Sequence, residues 1–345
     1  MRKIRRKREK VKKKIIIISV FLFLIIMTSG YAAFSTNITI NAKGNIKCNL
    51  KTAKEKLLEN IVTTGSGIYV DTTENNRYIY RGVDPNNYIV LSNELYRIIS
   101  LEADNTIKVI KETSIGTMKY DSKNERYSSS ANAYCNSTLG CNVWANNKTT
   151  LDETGKIITQ ITDGLNDTLF DLPDKESYLN EYLNNNWYNT LDNETKKLIV
   201  NHVYNIGPVL YNKQTNQTLE TDIAQEKRYK WTGKIGLMNV SDFVKASNNP
   251  NCTSVMDHND ATYNCPNDID YNYLIIKKGN RWQWLLNPFG ATDNQRTYAW
   301  NTGYDGKIGA NPVSNAYQVR PAFYITADIN LCGSGTESNP YTIVS

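Results

Sequence analysis

Histidine is nearly absent from this chain of 345 residues, which holds two. His202 lies where a helical period turns it inward, so it reads as a satisfied core side chain. His258 stands between Asp257 and Asp260 in a polar stretch, which reads as an exposed loop rather than a metal site. No GxSxG, HExxH, P-loop or dinucleotide fingerprint occurs, which excludes the chemistries those patterns serve. Asp84-Pro85-Asn86-Asn87 and Asp163-Gly164 read as turns, not calcium loops. No cysteine pair has CxxC spacing, which argues against a zinc or redox centre. These absences leave no catalytic set, no metal and no cofactor to expect. Phenylalanine is scarce as well, at seven against 23 tyrosines. Tyrosine combines an apolar body with a wet tip and suits both sheet surfaces and binding surfaces. Basic excess is missing once the first fourteen residues are set aside. The rest has 30 basic and 33 acidic side chains, a net charge of −3, which argues against a nucleic-acid partner. No period of repeat-protein length recurs, so a solenoid is excluded.

What is present begins with a leader. Residues 2–14 carry ten Lys/Arg and one Glu, and Ile15–Met27 follows without a charge. Small residues then surround Gly30–Ser35. A basic start, an apolar run and small residues make an export signal. Cleavage after Ala32 is one outcome. An uncleaved anchor is the other, since the 19 residues Ile15–Ala33 just span a bilayer core of about 30 Å. The positive charge holds the N-terminus in the cytoplasm in both cases. Six cysteines follow the leader, and an even count in an exported chain reads as disulfides. Close spacing selects Cys135–Cys141 and Cys252–Cys265. Cys48 and Cys332 remain, either paired with each other or free.

Residues 34–66 read as a stem with a short amphipathic helix over Leu50–Val62 and a Gly-rich joint after it. Residues 67–345 read as one α+β domain. Arg77–Arg81, Tyr88–Leu91, Glu94–Ser100 and Thr106–Lys111 alternate as strands of a meander, with Ala103–Asn105 at a hairpin tip. Ser177–Trp187 reads as a helix. Asp192 caps a second one, which carries Leu198, Ile199, His202 and Val203 inward and stops at Gly207-Pro208. Lys230–Val240 reads as one buried strand, and Ser241 as the cap of a helical turn. Near the C-terminus Trp282–Leu286, Thr297–Asn301 and Tyr317–Thr326 read as the packed strands of an antiparallel sheet. Pro321 then belongs at an edge or a bulge. Trp282, Trp284, Val319 and Phe323 are expected inside, with Arg320 as a buried hydrogen-bonding strut.

Several of these pieces occur together: Arg77–Gly82 with Asn86–Tyr88, Glu94–Ile99, Ile107–Ile115 with Gly116, Lys234–Asp242, Trp284–Pro288, Val319–Pro321 and Gly335–Tyr341. In combination they resemble a large group of exported surface proteins of Gram-positive bacteria, often from gut communities. The C-terminal domain of that group looks C-type-lectin-like, in the variant of formylglycine-generating enzymes. The resemblance implies a twisted antiparallel sheet preceded by two helices. The leader, with Gly30–Ser35, is also similar to that of secreted biofilm-fibre proteins, which bears on export alone. The Glu-Pro-Asn, Gln-Pro-Asp and Trp-Asn-Asp triplets of calcium-dependent lectins do not occur here, and the paired catalytic cysteines of the formylglycine-generating enzymes have no counterpart. The implied fold therefore comes without either activity, and a fold alone does not fix a function.

The residues expected to bind ligand are Asn287, Arg296, Trp300 and Tyr304. They belong to Asn287–Arg296 and Tyr304–Asn315, read as loops at the sheet's rim, where aromatic faces beside amides serve glycan or protein recognition. The expected function is an exported cell-surface protein that binds or adheres to a glycan or protein outside the cell, without catalysis. An extracellular enzyme acting on cell-wall or other polymers is the rival, and a structural surface subunit the third reading.

Overall fold

A computed structural model of the chain describes residues 50–122, 125–135, 139–162, 168–210, 217–250, 255–256, 268–276, 282–290, 296–303 and 306–344. The chain divides into two units, Met1–Lys47 and Cys48–Ser345. The first, with the expected leader, lies outside the described residues. Among the described residues no helix is long and apolar enough to cross a membrane.

The body is α+β and mostly sheet. The expected meander forms the main sheet, whose strands run Ile235–Gly236, Ala322–Thr326, Thr106–Lys111, Glu94–Leu101, Tyr78–Arg81 and Gly67–Val70, with Tyr88–Leu91 also paired to Glu94–Leu101. Every pairing in it is antiparallel. A second sheet runs Ile308–Pro312, Tyr298–Gly303, Trp282–Gly290, Ala316–Gln318 and Thr117–Lys119. It is mixed rather than antiparallel throughout, because Val209–Leu210 and Ala316–Gln318 both lie parallel to Trp282–Gly290.

The two sheets share a ribbon. Tyr317–Thr326 is not one strand. Ala316–Gln318 pairs with Thr117–Lys119 in the second sheet, and Ala322–Thr326 pairs with Thr106–Lys111 in the main sheet. Both chains cross between sheets together, around Val319-Arg320-Pro321. Pro321 has no N–H to give, but its carbonyl accepts from Lys111 N at 3.0 Å. The alternation of apolar residues persists through the crossing, which hides it from pattern reading.

The second compact unit is Cys48–Ser345. The short helix Ala53–Leu57 belongs to it, with Ala53 and Leu57 buried in the main core, and Lys51–Thr52 pairs with Asn330–Cys332. The helix capped by Asp192 ends at Leu198. β-branched Ile199 and Val200 then join the sheet edge, with Val200 N donating to Tyr324 O at 3.0 Å. His202 therefore sits on the strand His202–Asn205, half-buried, stacked 3.5 Å from the Tyr324 ring and 2.9 Å from Asp104 Oδ2, and Val203 is exposed. Lys230–Val240 splits into Tyr229–Gly233 and Ile235–Gly236, which pair in different sheets. The helix that follows, Val240–Lys245, is capped by Asn239, not Ser241.

That helix is buried along its whole length and meets the main sheet through charges. Asp242 lies 2.6 Å from Lys108 Nζ and 3.3 Å from Arg77 Nη2. Arg77 also reaches Asp71 and Glu102 at 2.8 Å, and Lys245 reaches Asp71 at 2.9 Å. Burial works to raise the Asp242 carboxyl, but Lys108 and Arg77 overcome it and hold the group below the usual carboxylate range. Nearby Glu226, on the helix Leu219–Lys227, forms no ion pair among the described residues. It accepts from Ser241 N at 2.8 Å and Ser241 Oγ at 2.6 Å, and burial pushes its carboxyl up to about 7.

Of the expected disulfides, Cys135–Cys141 is formed. Cys332 is disulfide-bonded too. Cys48, Cys252 and Cys265 lie outside the described residues.

Two outcomes are expected. Trp300 is buried, with Nε1 donating to Val209 O at 3.0 Å and the ring 4.8 Å from Phe289. Trp300→Ala should therefore lower unfolding free energy by about 3–5 kcal/mol in denaturant titration, where an exposed anchor would change it by about 0.5. Glu226 binds its proton more tightly folded than unfolded, so its contribution to stability declines as pH rises from its ordinary value through about 7. Glu226→Gln keeps the bond from Ser241 N through Oε1 and lets Nε2 donate to Ser241 Oγ, without the charge. It should stabilise the protein at pH 8 by up to about 3 kcal/mol and give no gain near pH 4, measured as unfolding midpoints at the two pH values.

Candidate functional site

The ribbon crossing opens a cleft of about 970 Å³. One wall is the hairpin Tyr88–Leu91 and Glu94–Leu101. Its two-residue turn, Ser92-Asn93, has φ of 48° and 58°, the primed geometry that matches the twist of paired strands. This register sets Tyr88 opposite Arg97, and the guanidinium lies 3.7 Å over the Tyr88 ring. Arg97 Nε donates to Asn87 Oδ1 and Nη2 donates to Pro85 O at 3.2 Å, which locks the group in place.

The floor comes from the crossing itself. Past Lys111 the pairing with Ala322–Thr326 ends, while Glu112 N still donates to Leu95 O at 3.0 Å and Ile115 N donates to Val319 O at 2.9 Å. Arg320 bridges the gap: Nε donates to Lys111 O at 2.7 Å and Nη1 to Leu274 O at 3.0 Å. The expected strut is thus real, and it also lines the cleft. Glu112 sits between the guanidiniums, 3.6 Å from Arg320 Nη2 and 3.9 Å from Arg97 Nη1. Burial draws the Arg320 guanidinium below its ordinary value, and Glu112 opposes it. Burial likewise pushes Tyr88 up to about 12, against the pull of Arg97. Beside them Lys111 Nζ lies 3.1 Å from Glu94 and donates to Thr113 Oγ1 at 2.9 Å. Buried Ile275 and half-buried Ile276 give an apolar side.

One atom in this floor stands out. Glu112 Oε2 is buried and has no hydrogen-bond partner among the described residues. It faces Arg320 Nη2 at 3.6 Å, and the carboxylates of Asp84 and Glu94 are open to the cleft. A smaller cleft of about 400 Å³ lies along the π-helical turn Tyr182–Trp187. Its amides are already engaged, since Asn184 Nδ2 donates to Asn180 Oδ1 and Ile235 O, both at 2.9 Å. They build the helix–strand contact.

The residues expected to bind ligand are elsewhere, and two of them are interior. Asn287 belongs to the strand Trp282–Gly290 and is fully buried. Its Oδ1 accepts from Val240 N at 3.0 Å, and its Nδ2 donates to Gly207 O at 3.1 Å. Trp300 is core, as above. Arg296 is half-buried, its guanidinium 4.0 Å over the Phe170 ring, with Nη1 donating to Ala133 O at 3.2 Å. Tyr304 lies outside the described residues, as does His258. Ile308–Pro312, read as part of a rim loop, is a strand. Trp284, Val319 and Phe323 are buried as expected, and Trp282 is half-buried. The cleft residues left one legible signal, the Arg320 strut. The charges at Arg97 and Glu112 read as ordinary strand and turn polarity.

With the geometry in place, the chain can be compared with known proteins. A family model described as a domain of unknown function (DUF6273) matches residues 174–327. No curated protein and no solved structure matches the chain. The matched stretch includes Arg320 and the Leu274–Ile276 wall, while Tyr88, Arg97 and Glu112 precede it. It ends within a sheet whose other strands lie upstream, so the folded unit is larger than the matched segment.

Removing the clamp should unsettle the fold as well as the cleft. Arg97→Ala leaves Glu112 with one cation and exposes the Tyr88 face, and should cost about 3 kcal/mol or more in denaturant unfolding. Asp84→Ala, at a rim carboxylate 72% exposed, should stay within about 0.5 kcal/mol.

Proposed function

We propose that this is an exported surface protein with a C-type-lectin-like body that binds a glycan or protein chain in the ribbon cleft, without catalysis. The observation that carries the reading is the cleft of about 970 Å³ between the Tyr88-stacked Arg97 and the Arg320 strut, with the exposed carboxylates of Asp84 and Glu94 on its lining. A glycan offers hydroxyl donors to the Asp84 and Glu94 carboxylates and a peptide offers amide N–H groups, while Ile275 and Ile276 give either one an apolar side. The ionised groups of the floor already engage one another, which favours a rigid recognition surface over proton transfer. For export, the support is the leader in the sequence together with the Cys135–Cys141 disulfide, since disulfides persist in oxidising compartments. For the fold, the support is the pairing of the body's first and last regions, Lys51–Thr52 with Asn330–Cys332, and the helices that precede the Trp-rich strand.

The test has two parts. Cell fractionation should find the body outside the cytoplasm, and recovery from the soluble cytosol would overturn export. An array of glycans and extracellular proteins, probed with the full chain, should return a ligand whose binding falls at least tenfold (about 1.4 kcal/mol) in Thr113→Trp. Thr113 is exposed on the cleft wall, so the indole fills the cleft and the unfolding midpoint stays unchanged. A ligand indifferent to this substitution binds elsewhere. Turnover of an arrayed polymer would replace the binding reading with an enzymatic one.

A further inference from the structure

Lys108 is the most deeply buried lysine of the main sheet, 1% exposed, and what surrounds its amine is unusual. Nζ lies 2.6 Å from Asp242 Oδ2 and donates to Asn239 Oδ1 at 3.0 Å. A carboxamide and a carboxylate thus meet one lysine in a site closed to solvent, with the Tyr324 ring 5.2 Å away. Among the described residues Lys245, also buried, meets the carboxylates of Asp71 and Glu74. We propose that Lys108 and Asn239 condense into an intramolecular amide bond, with Asp242 moving the protons.

The groups are arranged for that step. The Asn239 carboxamide is pinned, because Nδ2 donates to Asn205 O at 2.6 Å and to Asn287 Oδ1 at 3.2 Å. Asp242 is fixed by the same turn, accepting from Asn239 N at 2.9 Å through Oδ2. Asp242 takes a proton from the Lys108 ammonium. The free amine swings from the carboxamide oxygen onto its carbon, and an Nζ–Cγ bond forms. Asp242 returns the proton to Nδ2, the Cγ–Nδ2 bond breaks, and ammonia leaves and takes up the amine's remaining proton as ammonium. An ammonium and a primary amide become a secondary amide and an ammonium ion. No oxidant or co-reactant is needed, and Asp242 ends ionised as it began. A carboxamide is inert towards amines in water, but a nucleophile held at near-contact gains an effective concentration of about 10⁵ M or more.

The product gives up the Lys108–Asp242 ion pair and the two Nδ2 hydrogen bonds of Asn239. The bond removes a buried ammonium, yet it does not orphan Asp242, which keeps Arg77 at 3.3 Å. Unpaired buried charge is the costly outcome, and it is avoided. The crosslink would tie the strand Thr106–Lys111 to the cap of the helix Val240–Lys245 across 131 positions of chain, restricting the unfolded chain as a disulfide does without dependence on redox state. It stands independently of the proposed binding function.

The deciding experiment is mass spectrometry of the purified full chain, denatured and reduced. The intact mass should fall short of the sequence mass by one ammonia, once any leader cleavage is counted. A tryptic digest should contain a branched peptide joining the Lys108 and Asn239 segments, uncleaved at Lys108. Lys108→Arg and Asn239→Ala should each restore the full mass and lose the branch. A wild-type protein of full mass, with chain cleavage after Lys108 and a linear peptide containing unmodified Asn239, overturns the proposal. An ammonia deficit without the branched peptide overturns it equally. The wild-type measurement decides the matter even where a variant does not fold.

Discussion

The Asp242 carboxylate is shared between Lys108 at 2.6 Å and Arg77 at 3.3 Å, all three deeply buried. The helix Val240–Lys245 that carries it has no solvent face, so its polar side chains must be satisfied inside. Lys108 comes from the main sheet's strand Thr106–Lys111 and Arg77 from the turn before Tyr78–Arg81. Asp71 adds a second carboxylate that binds Arg77 and Lys245 together. Taking ions from water is expensive unless each finds a counter-ion and further hydrogen bonds. Here each cation meets at least one carboxylate, which confines the helix to one position on the sheet. An apolar contact would allow sliding; this one does not.

The helix position settles what lies beyond it. Asn239, at its cap, binds Asn287 through Nδ2 at 3.2 Å, and Asn287 Oδ1 accepts from Val240 N at 3.0 Å. Trp282–Gly290 is thereby locked to the same helix that the main sheet holds. The two sheets are also joined by the ribbon of Thr106–Lys119 and Ala316–Thr326. A ribbon that leaves one sheet and enters another must break its ladder at the transfer, and there Glu112–Ser114 and Arg320 are free to shape a cleft. The candidate site is thus a consequence of the architecture: rigid on both sides and open where pairing stops.

Much of the main sheet was legible in the sequence. Tyr78–Arg81, Tyr88–Leu91, Glu94–Leu101 and Thr106–Lys111 alternate cleanly, and short turn-rich links join them, so local pattern and pairing agree. The Asp192 cap was legible too, because capping depends on one oxygen and one backbone N–H three residues on. The end of that helix was not. Ile199 and Val203 keep a helical spacing, and what extends the chain is a tertiary bond from Val200 to Tyr324. Burial of ions was also hidden. Arg77, Lys108 and Asp242 are far apart in sequence, and each alone resembles a solvated charge.

The Trp-rich stretch shows why burial on both faces was not legible in the sequence. Alternation tells which residues share a face, but it identifies the buried face only when the opposite one is wet. The strand Trp282–Gly290 is covered on both sides. Trp284 packs 4.7 Å from Tyr317 on one, and Asn287 meets Asn205, Gly207 and Val240 on the other. Its neighbour behaves alike, with Trp300 sealed by Phe289 and Val209. Aromatic and amide side chains that look like a recognition surface in one dimension are here the means of packing a sheet with no free face. Glu112, between Arg97 and Arg320, lies instead where three distant stretches converge and no periodicity exists to mark it.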